Sequence, residues 1–265
     1  MPQSQFLEKI EISCHKKEAL FDRSKVKYAI RSMYAGAFLT LSTGAGAIAA
    51  DLVNQFVPGS GRLLFPFIFA WGLVYILFLN AELTTSNMMY LTAGTFLKKI
   101  RWTKALGILL YCTIFNLIGA GLIGFLFNQT SAFATLSADG FLGGVVQNKL
   151  ARGDQLIFFE AILANIFVNI AILSFLFIKD STAKTLVVLS AIYMFVFLTN
   201  EHLAANFASF SIVAFNKIAA ELADFNSLNI LRHFAITFIG NCVGGGLLIG
   251  LVYAYLNRDE QDYVD

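Results

Sequence analysis

The chain has 265 residues, 57% hydrophobic and only 14% charged, with 27 Phe and 20 Gly. An ordinary soluble domain carries about 25% charged residues, so a soluble globular protein of this size is excluded. The net charge of +2 matters less than where the charges lie.

Residues 1–27 are charged and lack a central apolar run, so they do not read as a cleaved signal peptide. With Phe6, Leu7 and Ile10 beside lysines, this stretch is expected to be a cytoplasmic segment, an amphipathic gate or a surface helix. Residues 28–256 hold six apolar segments, near 30–53, 64–96, 105–127, 155–178, 185–215 and 231–256, and a cytoplasmic tail is expected over 257–265. A span needs roughly 20 apolar residues. The expected fold is therefore an all-α polytopic membrane protein with six transmembrane helices. With the N-terminus inside, 14 of the Lys and Arg residues fall on the cytoplasmic side and 5 outside. Both termini are expected in the cytoplasm of a cell (inner or plasma) membrane.

Segments two and five are interrupted by polar residues, Glu82-Leu-Thr-Thr-Ser-Asn87 and Asn200-Glu201-His202-Leu-Ala-Ala-Asn206. Polar runs inside a span are costly unless buried in protein or lining a cavity, so two discontinuous helices are expected. Glu82 and Glu201 recur at an offset of 119 residues, and Asn116-x-x-Gly-x-Gly-Leu in segment three recurs as Asn241-x-x-Gly-x-Gly-Leu in segment six at an offset of 125. This pattern predicts two inverted three-helix repeats, about 28–128 and 150–256, with a permeating species bound between them.

His202, mid-span beside Glu201, is the sharpest candidate for chemistry. Glu82, Asn87, Glu201 and Asn206 are expected to support the breaks structurally, the two glutamates by accepting hydrogen bonds from backbone N–H groups freed there. Thr85, in the opposite break, is read either as a donor to the same permeant or as a satisfied turn residue. Asn165 and Asn169 share one helix face. Glu160 reads as a half-solvated group near the outer end. Lys149 and Arg152 are either solvated loop charges or cations that draw anions to a pore mouth. Phe69, Leu73 and Phe195, one turn before the breaks, are candidates for apolar constrictions. Three scattered cysteines give no disulfide framework and no metal site, and no enzyme motif, cofactor loop or nucleotide-binding domain is present in the sequence.

Together, the Ala81–Asn87 stretch, Asn116-Leu-Ile-Gly-Ala, Asn165 and the Glu201-His202-x-x-Ala-Asn206 motif resemble the formate/nitrite transporter family over about 28–255. The resemblance implies an aquaporin-like fold, a homopentamer in the lipid bilayer and a pore in each protomer for small monovalent anions or their acids. It implies no enzyme activity, no cofactor and no nucleic-acid partner. By motif position it makes His202 the central pore histidine and Thr85 the threonine facing it. Asn165 becomes the residue that helps orient His202, and Lys149 the basic residue near the outer mouth. Phe69 and Leu73 would form the outer constriction, with Leu83 and Phe195 contributing to the inner one. Thr84 stands where the family commonly has an aromatic, which would widen or wet the inner constriction and admit something bulkier, such as lactate. Asn200 stands where the family has Gly, which leaves the conformation of that break open. The implied activity is proton-assisted passage of formate, nitrite, acetate, lactate or hydrosulfide. The alternatives are a channel for a neutral solute and a non-transporting scaffold or sensor.

Overall fold

The computed structural model describes residues 5–258, so residues 1–4 of the N-terminal segment and 259–265 of the expected tail lie outside it. The first helix, α1 (Gln5–Arg23), places Phe6, Ile10, Cys14 and Lys17 on one buried face at helical spacing. It does not lie free on a lipid surface but packs against the helices that follow. These are α2 (Lys25–Phe56), α3 (Gly61–Phe78), α4 (Thr84–Phe96) and α5 (Trp102–Phe127). A short α6 (Ser131–Ala134) and α7 (Phe141–Leu150) lead to α8 (Asp154–Phe177), α9 (Ser181–Phe197) and α10 (Leu203–Ala214). The last span runs through α11 (Ser227–Asn241), a π-helical stretch (Cys242–Leu251) and α12 (Val252–Leu256). The fold is an aquaporin-like bundle of two inverted three-helix repeats, with the second and fifth spans broken into α3/α4 and α9/α10. Below, "inner" means the side of α1 and "outer" the side of α7.

Both breaks are made in the same way. α3 ends with Asn80 at φ 54° and α9 with Thr199 at φ 60°, the left-handed position that closes a helix C-terminus. The next amides, of Ala81 and Asn200, reach back to the carbonyls of Ile76 (3.0 Å) and Phe195 (3.1 Å). Asn200 itself has no positive φ, so the residue standing in place of the family's Gly fits the turn; the left-handed burden falls on Thr199. A β-branched residue is strained there. Arg152 holds it, donating to the Thr199 carbonyl at 2.9 Å and its hydroxyl at 3.1 Å.

The second half-helices restart under an asparagine cap supplied by another span. Asn116 Oδ1 accepts from the Thr84 amide (2.9 Å), while its Nδ2 donates to the carbonyls of Ser32 (2.8 Å) and Glu82 (2.9 Å). In the other half, Asn241 Oδ1 accepts from the Leu203 amide (2.9 Å) and its Nδ2 donates to the carbonyls of Ala161 (2.7 Å) and Glu201 (3.0 Å). One side chain thus bonds the amide and the carbonyl flanking each break and a carbonyl of a neighbouring span. Close packing brings the asparagines in range. A Cβ on Gly119 would sit 1.9 Å from the Met33 carbonyl oxygen, and one on Gly244 would sit 2.1 Å from that of Ile162. Only glycine allows either approach.

Asn116→Ala and Asn241→Ala should each leave the first amide of a half-helix unpaired and remove a donor from the Glu82 or Glu201 carbonyl, at about 1–3 kcal/mol for a buried group left without its partner. Both variants are expected to lower the thermal unfolding midpoint in detergent, and by similar amounts. An unchanged midpoint in either would contradict this account of the breaks.

Candidate functional site

The two half-helices α4 and α10 begin beside the same spot. Their N-cap residues, Leu83 and His202, are both extended, and both border a cavity of about 10 Å³ with Leu39, Phe69, Leu73 and Phe195. That is room for about one water molecule. His202 caps its own helix: Nδ1 accepts from the Ala205 amide at 3.1 Å. A ring nitrogen that accepts carries no proton, so the single proton of the neutral ring is on Nε2. Nε2 lies 2.7 Å from Thr85 Oγ1 and donates to it. The Thr85 hydroxyl proton is then free for another acceptor.

Several expected neighbours take different places. Asn165 makes no hydrogen bond to His202; its Nδ2 donates to the carbonyls of Thr85 (3.2 Å) and Asn241 (2.8 Å), fixing the backbone that carries the Thr85 hydroxyl. Asn169 in turn donates to Asn165 Oδ1 at 3.0 Å. Phe195 stands edge-on to Phe69 with ring centroids 6.2 Å apart, on the outer side of the cavity rather than with Leu83 on the inner side. The reason is that α9 runs past the waist before the chain turns back to His202. Its last turn, with Thr199 and Asn200, borders the outer vestibule. The matching turn of α3, with Ile76 and Asn80, borders the inner one. Thr84 does not wet the cavity. Its hydroxyl is bonded to Thr113 Oγ1 at 2.6 Å on α5, and Leu83 is the residue that faces the space.

The outer vestibule is a cavity of about 130 Å³ closed at its base by Phe69 and Phe195. Lys149 borders it but is not a free cation at the mouth. It donates to the fully buried Glu201 carboxylate at 2.6 Å. Arg152 is not a solvated loop charge either, since it reaches both Glu201 and Glu160 at 2.5 Å. Glu160 is therefore paired rather than left to solvent. Asn206 Nδ2 completes the Glu201 shell at 2.9 Å, with His233 Nε2 at 3.5 Å from the same carboxylate.

The inner vestibule, about 160 Å³, mirrors this arrangement. Glu82 accepts from Lys17 (2.7 Å), Tyr28 (3.0 Å) and Asn87 (3.2 Å). In both halves the glutamate is thus held by side chains, a lysine and the asparagine five residues on, rather than by backbone amides freed at the break. Those amides go to Asn116 and Asn241. Lys17 also lies 5.0 Å from the centre of the Tyr90 ring. One turn earlier, Cys14 Sγ donates to the Tyr90 carbonyl, and burial pushes its thiol up to about 11.

The architecture finds its match among known proteins. The family model for the formate/nitrite transporter matches residues 4–255. The chain belongs to the formate/nitrite transporter family. This family comprises transporters and channels, not enzymes. The chain is 28% identical over 263 residues to an uncharacterised transporter, YwcJ, of Bacillus subtilis (strain 168), covering 97% of this chain and all of that protein. Among solved structures, an FNT family ion channel superposes with TM-score 0.84 at 22% identity, covering 94% of this chain and 97% of that one. A pentameric formate channel with formate bound superposes with TM-score 0.76 at 24% identity, covering 88% and 97%. Within the family framework, sequence reasoning missed Lys17, whose place on the buried stripe of α1 was the available signal. It also missed His233, a lone histidine in an apolar run.

Two outcomes test these ion pairs. Lys149→Met leaves the buried Glu201 carboxylate with only one of its two cations, Arg152. It should destabilise the detergent-solubilised protein by less than about 3–5 kcal/mol, the cost of a buried charge left with no partner. Adding Glu201→Gln to it should recover much of that loss in denaturant unfolding. On α1, a thiol at about 11 and buried keeps Cys14 protonated at neutral pH. Its alkylation by maleimide should be slow at pH 7 and should accelerate on raising the pH or unfolding. Rapid labelling at pH 7 would show that α1 is not docked.

Proposed function

We propose that each protomer passes small monocarboxylates through the waist between the two vestibules as the neutral acid, with His202 and Thr85 supplying the hydrogen bonds at its centre. The observation that carries this reading is the Nε2–H of His202 pointing at Thr85 Oγ1 over 2.7 Å, beside a cavity walled by Phe69, Leu73, Leu83 and Phe195. A bare carboxylate entering an apolar constriction loses its hydration at large cost, whereas the neutral acid does not carry that charge.

His202 polarises the path without giving up a proton. Its only ring proton is the Nε2–H, and Nδ1 is occupied by the Ala205 amide. The proton that neutralises the permeant therefore comes from water in the vestibule. His202 donates to Thr85, which donates onward to the permeant. Asn165 fixes the Thr85 carbonyl and so sets the direction of the hydroxyl. The N-termini of α4 and α10 bring their positive ends to the same place, which favours the acid's oxygens.

Orientation follows from the Lys and Arg distribution: the α1 side and both termini face the cytoplasm of a cell membrane. Residues 28–256 form the pore-bearing domain, and five such protomers assemble as in the pentameric formate channel.

The test is uptake of formate and lactate by the purified protein in liposomes, at constant total concentration between pH 5 and pH 8. A carboxylic acid with a pKa near 4 loses about tenfold of its neutral form per pH unit above that, so uptake should be fastest at pH 5 and fall steeply. His202→Asn retains an oxygen to cap α10 but cannot reach Thr85. Losing a neutral hydrogen bond worth about 0.5–1.5 kcal/mol, it should slow uptake by roughly two- to tenfold. Uptake that ignores pH, or that the His202→Asn change leaves unaltered, would refute the proposal. Equal flux of glycerol would instead favour a neutral-solute channel.

A further inference from the structure

The outer vestibule contains polar groups that neither the fold nor the waist uses. Asn200 stands at the turn after α9, where its backbone amide makes the helix-closing bond to Phe195. Its side chain has no duty in that turn. The corresponding residue of the other half is Ala81, which closes α3 with the same bond and has no polar group. Asn200 is only 7% exposed and borders the vestibule, yet its Nδ2 has no hydrogen-bond partner among the described residues. Buried donors are nearly always paired. Rotation of the amide towards an occupant of the vestibule would supply the missing acceptor.

Charge in this vestibule is distributed unevenly. Lys149 and Arg152 are neutralised by Glu201 and Glu160. Arg62, on α3, borders the same cavity, rests 5.7 Å from the Phe197 ring, and has no carboxylate within ion-pairing distance among the described residues. The facing wall is apolar, formed by Phe65, Phe69, Phe141 and Phe195. A cation, an amide donor and an aromatic wall suit a small anion with one polar and one hydrocarbon end.

We propose that the outer vestibule holds a binding subsite for a small monocarboxylate, with Arg62 supplying the charge and the Asn200 amide a directional hydrogen bond. The anion waits there, above the Phe69–Phe195 pair, before it is protonated and enters the waist. The inner vestibule, with Ala81 in the matching place, has no such subsite. The inference rests on the proposed passage of monocarboxylates and adds to it a residue pair that sets affinity from one side.

The test combines binding and flux on the same full-length preparations. Formate and lactate binding is measured by calorimetry, and uptake by proteoliposomes, for the wild type, Asn200→Ala, Arg62→Gln and His202→Asn. Asn200→Ala and Arg62→Gln should each weaken binding about fivefold or more and raise the half-saturating concentration in step, leaving uptake at saturation unchanged. Arg62→Gln should also flatten the dependence of binding on salt. His202→Asn should slow uptake while binding persists. Wild-type binding and flux that Asn200→Ala and Arg62→Gln leave unaltered would overturn the subsite and leave the waist mechanism standing. Binding sensitive to these two changes, with no wild-type flux, would sink the transport reading and keep the subsite. Absence of both binding and flux would overturn both.

Discussion

Breaking a helix inside a membrane frees backbone amides and carbonyls where no lipid can bond them. The rest of this structure is arranged around that constraint. Asn116 and Asn241 each meet it twice over, taking one amide and giving to one carbonyl at the break, and each also ties the break to a carbonyl of a neighbouring span. His202 meets it once more through Nδ1 and the Ala205 amide. The histidine at the waist is therefore also the cap of a half-helix, and this fixes its tautomer. Chemistry at the centre and stability of the break share one hydrogen bond.

A second layer of charge supports the first. Each break carries a buried glutamate held by a lysine from a helix outside its own span, Lys17 from α1 and Lys149 from α7. Pairing is what permits these charges to be buried at all. It also removes Lys149 from the role of a bare attractor at the mouth, and it ties α1 to the inner end of the path. The two vestibules are alike in their carboxylate pairs and differ in Asn200 and Ala81.

Much of the fold was legible because the bilayer leaves polar residues nowhere to hide. The runs around Glu82 and Glu201 marked the broken spans, and the offset copies of Asn-x-x-Gly-x-Gly-Leu marked the inverted halves. What the repeated asparagines do was not legible, since their partners lie on other helices, 32 to 84 residues away for Asn116. Phe195 was assigned to the wrong side because spacing along a helix does not show how far the helix runs past the waist. The glutamates' partners are hidden in the sequence because a lysine on the amphipathic α1, or on α7 just before α8, looks like a surface charge until it is packed. Thr84 drew attention as a departure from an aromatic, yet its contact with Thr113 turns it away from the cavity.

Passage at the waist turns on the protonation state of one imidazole. The chain has three histidines, His15, His202 and His233. Nitrogen-15 NMR of the reconstituted protein, with His15 and His233 replaced, would report His202 alone. The structure predicts a neutral ring at pH 7, protonated on Nε2 with Nδ1 accepting from the Ala205 amide. A ring carrying protons on both nitrogens at that pH, or on Nδ1 alone, would break the Ala205 bond and contradict the central claim.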